Sequence, residues 1–343
     1  MEKDLLDNIR DSLTEKRDNL AAWIEETPKE KRAVNLGNAG EQEIISHLAT
    51  LDQALEQATQ GTLGTCSVCQ DTVNTGLLEM DYTCCVCLDH LSSDQARSLE
   101  FEIELAQTVQ RSLLPEEVPD TPALEVAAFT RPAQYISGDY FDFFRFRDGA
   151  HGLAIADVAG HGISASLHMA TLQALLRTLI PLNDSTVGVV DHLHRLLVHN
   201  VRFANFVTLF LGAYDVSSRR LIYTNAGHNP PLVLRANAKT VDEGLWLWPT
   251  GPALGLIETA EFSTGVVQLE PGDLLLLYTD GVTEAENPSG EQFGSQGLAQ
   301  AVGRNRLLPS RDLVQAIRQE LESFSAGQPL ADDATLLACR IAA

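Results

Sequence analysis

The chain has 343 residues, 44% of them hydrophobic and 21% charged, with a formal charge of −23 at pH 7. That length allows about two domains with cores of their own, and the composition excludes a disordered or fibrous chain. The acidic balance opposes direct nucleic-acid binding, which needs neutralised phosphates. No apolar run reaches the ~18 residues of a membrane-spanning helix. The start, MEKDLLDNIRDSLTEKRD, is charged and amphipathic rather than a secretory signal, so the cytoplasm is the expected compartment.

Two helical patterns come first. Residues 3–26 place Leu6, Ile9, Leu13 and Leu20 near one face, and Pro28 ends the run. Residues 39–59 place Ile44, Leu48, Leu51 and Leu55 on one stripe, with Gly61 as the stop. The two are expected to lie antiparallel as a hairpin.

Five of the six cysteines fall between residues 66 and 87. Cys66, Cys69, Cys84 and Cys87 form C-x2-C-x14-C-x2-C, the spacing of two knuckles that supply four thiolates to a tetrahedral Zn²⁺. Without an export signal, clustered cysteines point to metal rather than disulfides. A closed four-sulfur site is structural, not catalytic. Cys85 is out of phase, and Cys339, inside ATLLACRI, reads as a core thiol. Residues 1–90 resemble the DksA/TraR-type zinc fingers, which follow a helical hairpin and carry G-x-C-x-x-C, here Gly64 to Cys69. GLLEMDYT, between the knuckles, lacks the basic residues of that family, so no transcription role is carried over.

Residues 91–114 form a third helical stretch, with Ser92-Ser93-Asp94 as a start signal. Leu99, Ile103, Ala106, Gln110 and Leu113 are spaced 4-3-4-3, with Gln110 polar among apolar residues. Two readings stay open: a coiled coil that makes a homodimer, or a helix packed on its own domain. Pro115, Pro119 and Pro122 mark a boundary near residue 120. The expected organisation is a hairpin with a zinc module over 1–90, a linker helix over 91–120, and a larger domain over 121–343.

In that domain strands are expected at 124–130, 139–146, 152–158, 206–214, 220–224, 231–235, 265–269, 273–279 and 334–341. Helices are expected at 162–181, 186–201, 295–303 and 310–325. Strands often follow one another directly, which argues for an α+β layered domain over a βαβ repeat.

Four acids stand at the ends of these strands: Asp139 after Gly138, Asp157 in ADVAGHG, Asp280 in YTDG and Asp332 in DDATLL. A carboxylate at the edge of a run such as Leu274-Leu275-Leu276-Leu277-Tyr278 is costly to bury unless a positive partner meets it. Hard divalent cations, which take oxygen ligands, would be that partner.

The ordered set SGDYFDFF, DVAGHG, NAGHNPPLVL, GPALG, LLLYTDGVTEAEN, FG and DDATLL, over residues 105–341, resembles the metal-dependent protein phosphatases, above all their SpoIIE/RsbU branch. The resemblance implies an antiparallel β-sandwich flanked by helices (αββα), with two or more Mn²⁺ or Mg²⁺ at one end. By position, Asp139 would hold the second metal, Asp157 would bridge both, and the Val158 carbonyl would add a ligand. Asp280 would hold the first metal, and Asp332 would be the first acid of the D-D/N pair. Asp333 would stand outside the direct ligands or exchange roles with Asp332. The implied reaction is attack on a phosphoserine or phosphothreonine by a hydroxide shared between the metals. The implied substrate is a regulatory phosphoprotein such as an anti-sigma-factor antagonist, and the amino-terminal module would regulate the enzyme. Arg131 is the positional candidate for meeting the substrate phosphate. Asp142 would orient a metal-bound water or face solvent, His161 reads as a helix-start residue, and Asn225 to Asn229 as a turn beneath the site. The rival reading is a degenerate scaffold that docks through its zinc module.

Overall fold

The computed structural model describes residues 41–73, 86–115, 123–160, 162–198, 206–238 and 240–342, with scattered positions between 9 and 24. The chain divides into two compact units, Met1–Glu102 and Ile103–Ala343.

In the first unit the described residues between 9 and 24 are helical, and helix α1 spans Glu41–Gln60. Ile9 and Leu13 are buried with Leu51, Ala54, Ala58 and Leu63, while Leu20 and Leu55 pack at the margin. Ile9, Leu13 and Leu20 of the first expected stripe and Leu51 and Leu55 of the second therefore lie in the packed faces, while Leu6 and the Ile44 side chain lie outside the described residues. Arg17 pairs with Asp52 across the two helices at 3.0 Å. Gly61 ends α1 at φ +71°, a conformation that glycine adopts without a Cβ penalty. The ends of the first helix and its stop at Pro28 lie outside the described residues.

Helix α2 spans Ser93–Leu113. It opens on a capping box: the Ser92 N–H donates to Gln95 Oε1 at 3.1 Å, and the Gln95 N–H donates to Ser92 Oγ at 3.3 Å. Leu99 packs on the cysteine cluster of the first unit. In the second unit, Leu113 and Leu114 pack on the core. Phe101, Leu105 and Val109 form an exposed stripe on α2, each more than half exposed.

Among its described residues the second unit holds ten strands: β1 Leu124–Arg131, β2 Tyr140–Arg145, β3 His151–Val158, β4 Val207–Asp215, β5 Arg220–Ala226, β6 Leu232–Leu234, β7 Leu245–Trp246, β8 Gly265–Gln268, β9 Leu274–Tyr278 and β10 Ala334–Ile341. They form two five-stranded sheets, β1-β10-β9-β6-β7 and β2-β3-β4-β5-β8. Every strand pair is antiparallel. The described residues also form α3 Gly162–Leu179, α4 Thr186–Leu197, α5 Asp280–Thr283, α6 Gly294–Asn305 and α7 Ser310–Ser325.

Alternation along the strands builds the layers. Leu275, Leu277, Leu337 and Cys339 of the first sheet meet Phe141, Leu153, Ile155 and Phe210 of the second in a shared core. Leu274, Leu276, Tyr278, Leu336 and Ala338 point the other way, into a core made with α6 and α7. Tyr140, Ala154, Ala156 and Leu209 face α3 and α4. Each central strand is covered on both sides, which is why β9 reads as an unbroken apolar run. Cys339, in the shared core, has its thiol pushed up to about 12 by burial, as expected of a core cysteine. The antiparallel αββα sandwich expected from the sequence is the fold found. The two-residue β7 and the one-turn α5 are additions, too short to leave a periodic signal.

Candidate active site

Both sheets end at a common rim, and the four strand-end acids gather there. Asp139 precedes β2, Asp157 lies near the end of β3, Asp280 follows β9, and Asp332 and Asp333 precede β10. On their strands Asp139 shares the parity of Phe141, and Asp157 that of Leu153 and Ile155, which face the shared core.

Their electrostatics show the convergence. Asp139 is buried, and its pKa is raised well above the carboxylate range by burial, then by the charges of Asp157 and Asp333. Burial pushes Asp157 up to about 8, aided by Asp280, Asp332 and Asp333. Burial, with the charges of Asp332 and the exposed Glu284, pushes Asp280 up to about 6. Acids far apart in the chain thus repel one another across the rim, with no cationic side chain among the causes that shift them. Asp139 Oδ1 is buried without a hydrogen-bond partner among the described residues. A buried carboxylate oxygen left open beside other acids fits a divalent cation.

A polar brace holds the rim. The Thr279 hydroxyl donates to Asp139 Oδ2 at 2.8 Å and accepts from the Thr335 N–H at 2.9 Å. Asp333 accepts from the Ala133 N–H on Oδ1 at 2.7 Å and from the Gly138 N–H on Oδ2 at 2.6 Å. Both oxygens of Asp333 are so taken up by backbone amides, whereas Asp332 accepts on Oδ1 from the Asp333 N–H at 2.8 Å. Two glycines permit close backbone approach. A Cβ on Gly281 would stand 2.2 Å from the Asp333 carbonyl oxygen, and one on Gly138 would stand 3.1 Å from the Val158 carbonyl oxygen.

Helix α2 contributes to this brace. The Gln110 carboxamide donates to the Ser137 carbonyl at 2.6 Å and accepts from the Ser137 N–H at 3.0 Å. Gln107 donates to the Tyr135 carbonyl at 3.0 Å. Ser137 Oγ in turn accepts from the Asp139 N–H at 3.0 Å. Neither Thr279 nor Ser137 nor Gln110 was singled out as functional from the sequence. The available signals were adjacency to T-D-G and S-G-D and, for Gln110, polarity within an apolar seam. Gln110 and Leu113 of that seam are engaged within their own unit.

Asp142 requires correction. It neither approaches the acids nor faces solvent. It is buried, accepts from the Tyr140 hydroxyl at 2.7 Å, and is gripped by Arg177 of α3 at 2.9 and 3.1 Å. Its strand parity with Tyr140 turns it toward the helices, away from the shared core. Asn225 makes the expected turn: its side chain donates to the His228 and Leu247 carbonyls and accepts from the His228 N–H. His228 is fully buried, and burial lowers it to about 3, so its ring is neutral. Arg131 ends β1 in register with Ala334. It is exposed and borders a hollow with Phe129, Arg318 and Leu321, on the helix-covered face of its sheet. His161 lies outside the described residues.

In the first unit Cys66, Cys69 and Cys87 converge as free thiols, while Cys84 and Cys85 lie outside the described residues. No helix among the described residues is long and apolar enough to cross a membrane.

Residues 147–342 match the family described as Stage II sporulation protein E (SpoIIE). Phosphoserine phosphatase RsbU of Bacillus subtilis (strain 168) is 30% identical over 244 residues, which cover 71% of each chain. Protein IcfG of Synechocystis sp. is 30% identical over 266 residues, covering 69% of this chain and 41% of that protein. The SiaA-PP2C domain of Pseudomonas aeruginosa superposes with a TM-score of 0.63 at 19% identity, over 73% of this chain and all of that domain. Sandwich, rim of acids and sequence likeness agree: the chain belongs to the SpoIIE family, and its larger unit is a PP2C-type phosphatase domain.

Proposed function

We propose that the chain is a cytoplasmic, Mn²⁺- or Mg²⁺-dependent phosphatase that hydrolyses phosphoserine or phosphothreonine on a regulatory protein of the anti-sigma-factor antagonist class. The observation that carries the reading is the crowding of Asp139, Asp157, Asp280 and Asp332 at one rim, with Asp139 Oδ1 left open. Asp139, Asp157, Asp280, Asp332 and the Val158 carbonyl would hold the cations, and Asp333 would brace the Ala133–Gly138 loop through its two amide contacts. Two such cations, when bound, supply a water that is nucleophilic near neutral pH and neutralise charge on the transferring phosphoryl group. The chain's own part is to hold the carboxylates fixed in place, through Thr279, Ser137 and the Asp333 brace. RsbU carries the name phosphoserine phosphatase, in keeping with this substrate class. Arg131 is proposed to meet the substrate phosphate from the end of β1.

The amino-terminal unit is proposed to hold one structural zinc ion and to regulate the phosphatase unit. Homodimerisation is assigned to residues 91–114, on the exposed stripe of Phe101, Leu105 and Val109. Leu105→Asp should shift the oligomeric state and turnover together, and a lost dimer with unchanged turnover would dismiss the coupling. For the activity, a phosphoprotein assay compares wild type and Asp280→Asn with and without Mn²⁺. Wild type should require the cation, and the variant should lose at least about 100-fold. Equal rates in all four arms would leave a scaffold instead of an enzyme.

A further inference from the structure

We infer that the amino-terminal unit binds its zinc-class ion through Cys66, Cys69, Cys87 and Nδ1 of His90, so that an imidazole takes the fourth place and Cys84 is not required. The inference rests on reading the cysteine segment as metal-binding and is independent of the phosphatase activity.

Local backbone geometry prepares both halves of the site. In the first, the Gln70 N–H donates to the Cys66 carbonyl at 2.9 Å and the Cys66 N–H to the Asp71 carbonyl at 2.7 Å. Gln70 itself turns the chain at φ +64°, and Thr65 bridges Thr72. This hairpin sets Cys66 and Cys69 on one side. In the second half Leu88–His90 is a 3₁₀ turn, and the His90 N–H donates to the Cys87 carbonyl at 2.9 Å. A 3₁₀ turn eclipses side chains three apart, which brings His90 over Cys87.

The four ligand atoms lie within 4.8 Å of one another. Zinc bonds of ~2.3 Å to sulfur and ~2.0 Å to nitrogen give tetrahedral edges of about 3.8 Å between sulfurs and about 3.5 Å from sulfur to nitrogen. Cys69 Sγ stands 3.8 Å from Cys87 Sγ. His90 Nδ1 stands 3.1 Å from Cys87 Sγ and 3.9 Å from Cys66 Sγ, on either side of the required edge. His90 is exposed, so packing does not force its ring toward the sulfurs. The sequence holds the same two-residue gap twice in CCVCLDH, once from Cys84 to Cys87 and once from Cys87 to His90. The second gap closes the described site. It also places a ligand two residues before Ser92, the residue that caps α2, so the ion would anchor the start of that helix.

The experiment uses the full-length chain purified under reducing conditions. Metal content and zinc release to a competing chelator are measured for wild type, His90→Ala, His90→Cys and Cys84→Ser. Wild type is expected to hold one zinc per chain. Loss of an outer partner of a metal ligand costs 10–100-fold in affinity, so loss of a direct ligand in His90→Ala should cost at least about 100-fold. His90→Cys should restore tight binding, and Cys84→Ser should match wild type. The Co²⁺-substituted wild type needs no mutation. Its charge-transfer intensity should report three thiolates, and His90→Cys should raise it toward four. Zinc weakened by Cys84→Ser but kept by His90→Ala would overturn the inference while leaving the metal module standing. Wild type that takes up neither zinc nor cobalt would overturn both.

Discussion

The Thr279 hydroxyl donates to Asp139 across the gap between the two sheets, at 2.8 Å, from the end of β9 to the residue before β2. It occupies one oxygen of a buried carboxylate and leaves the other, Oδ1, open. In the proposed metal site such a contact would orient Asp139 as a ligand. Thr279→Val should lower Mn²⁺ affinity about 10–100-fold, the usual cost of losing an outer partner. Thr279→Ser should retain most of it. Mn²⁺ titrations of activity and calorimetric binding would check this, and equal affinity for valine and wild type would exclude the orienting role.

Gln110 reaches both backbone groups of Ser137, whose hydroxyl accepts from the Asp139 N–H. Gln110→Ala removes both contacts, each worth about 1 kcal/mol in stability. The expected result is a fall in kcat larger than the change in melting temperature accounts for, with KM for the phosphoprotein little altered. Gln110→Glu keeps an acceptor for the Ser137 N–H but sets a carboxylate against the Ser137 carbonyl, so it should be no better than alanine. Unchanged kcat in both variants would reduce Gln110 to a packing residue.

Asp142 and Arg177 form an asymmetric pair, with the carboxylate buried and the guanidinium about half exposed. Removing the arginine strands a buried charge, whereas removing the acid leaves a cation that water can reach. Arg177→Met should therefore cost about 3 kcal/mol of stability, near the lower end for a broken buried pair. Asp142→Asn, which keeps the shape and can still accept from Tyr140, should cost less. Urea unfolding would rank the two. Mn²⁺ affinity should be unchanged in Asp142→Asn, because that side chain faces α3 and not the rim of acids.

The rim makes the metal-free protein pH-sensitive. Asp157 at about 8 and Asp280 at about 6 both lie above the ~4 of an unfolded aspartate, so the folded state holds more protons through that interval. Stability then falls as pH rises from about 4 to about 8. In the proposed site Mn²⁺ or Mg²⁺ would pair the ionised carboxylates and should abolish or reverse that slope. Melting curves at pH 5 and pH 8, in chelator and in Mn²⁺, would show it. A metal-free protein that melts higher at pH 8 would contradict this account.

Much of this protein was legible before any coordinates. Apolar runs with an acid at one end located β3, β9 and β10 together with Asp157, Asp280 and Asp332, because a strand covered on both faces admits few polar residues until it reaches the rim. The stripes through Leu13 and Leu51 marked, by periodicity alone, faces of two helices that pack together. Tertiary structure decided what periodicity leaves open. Asp139 and Asp142 stand in the same SGDYFDFF, and alternation says only that they face opposite ways. Which face meets the second sheet and which meets α3 depends on how distant strands pair. Likewise the two-residue gap is shared by Cys84–Cys87 and Cys87–His90, and only the 3₁₀ turn after Cys87 brings the His90 nitrogen to the sulfurs. Gln110 is visible in the sequence as a lone polar residue in an apolar seam. That it holds Ser137, 27 residues further along, is a property of the fold, since hydrogen bonds between remote segments carry no period.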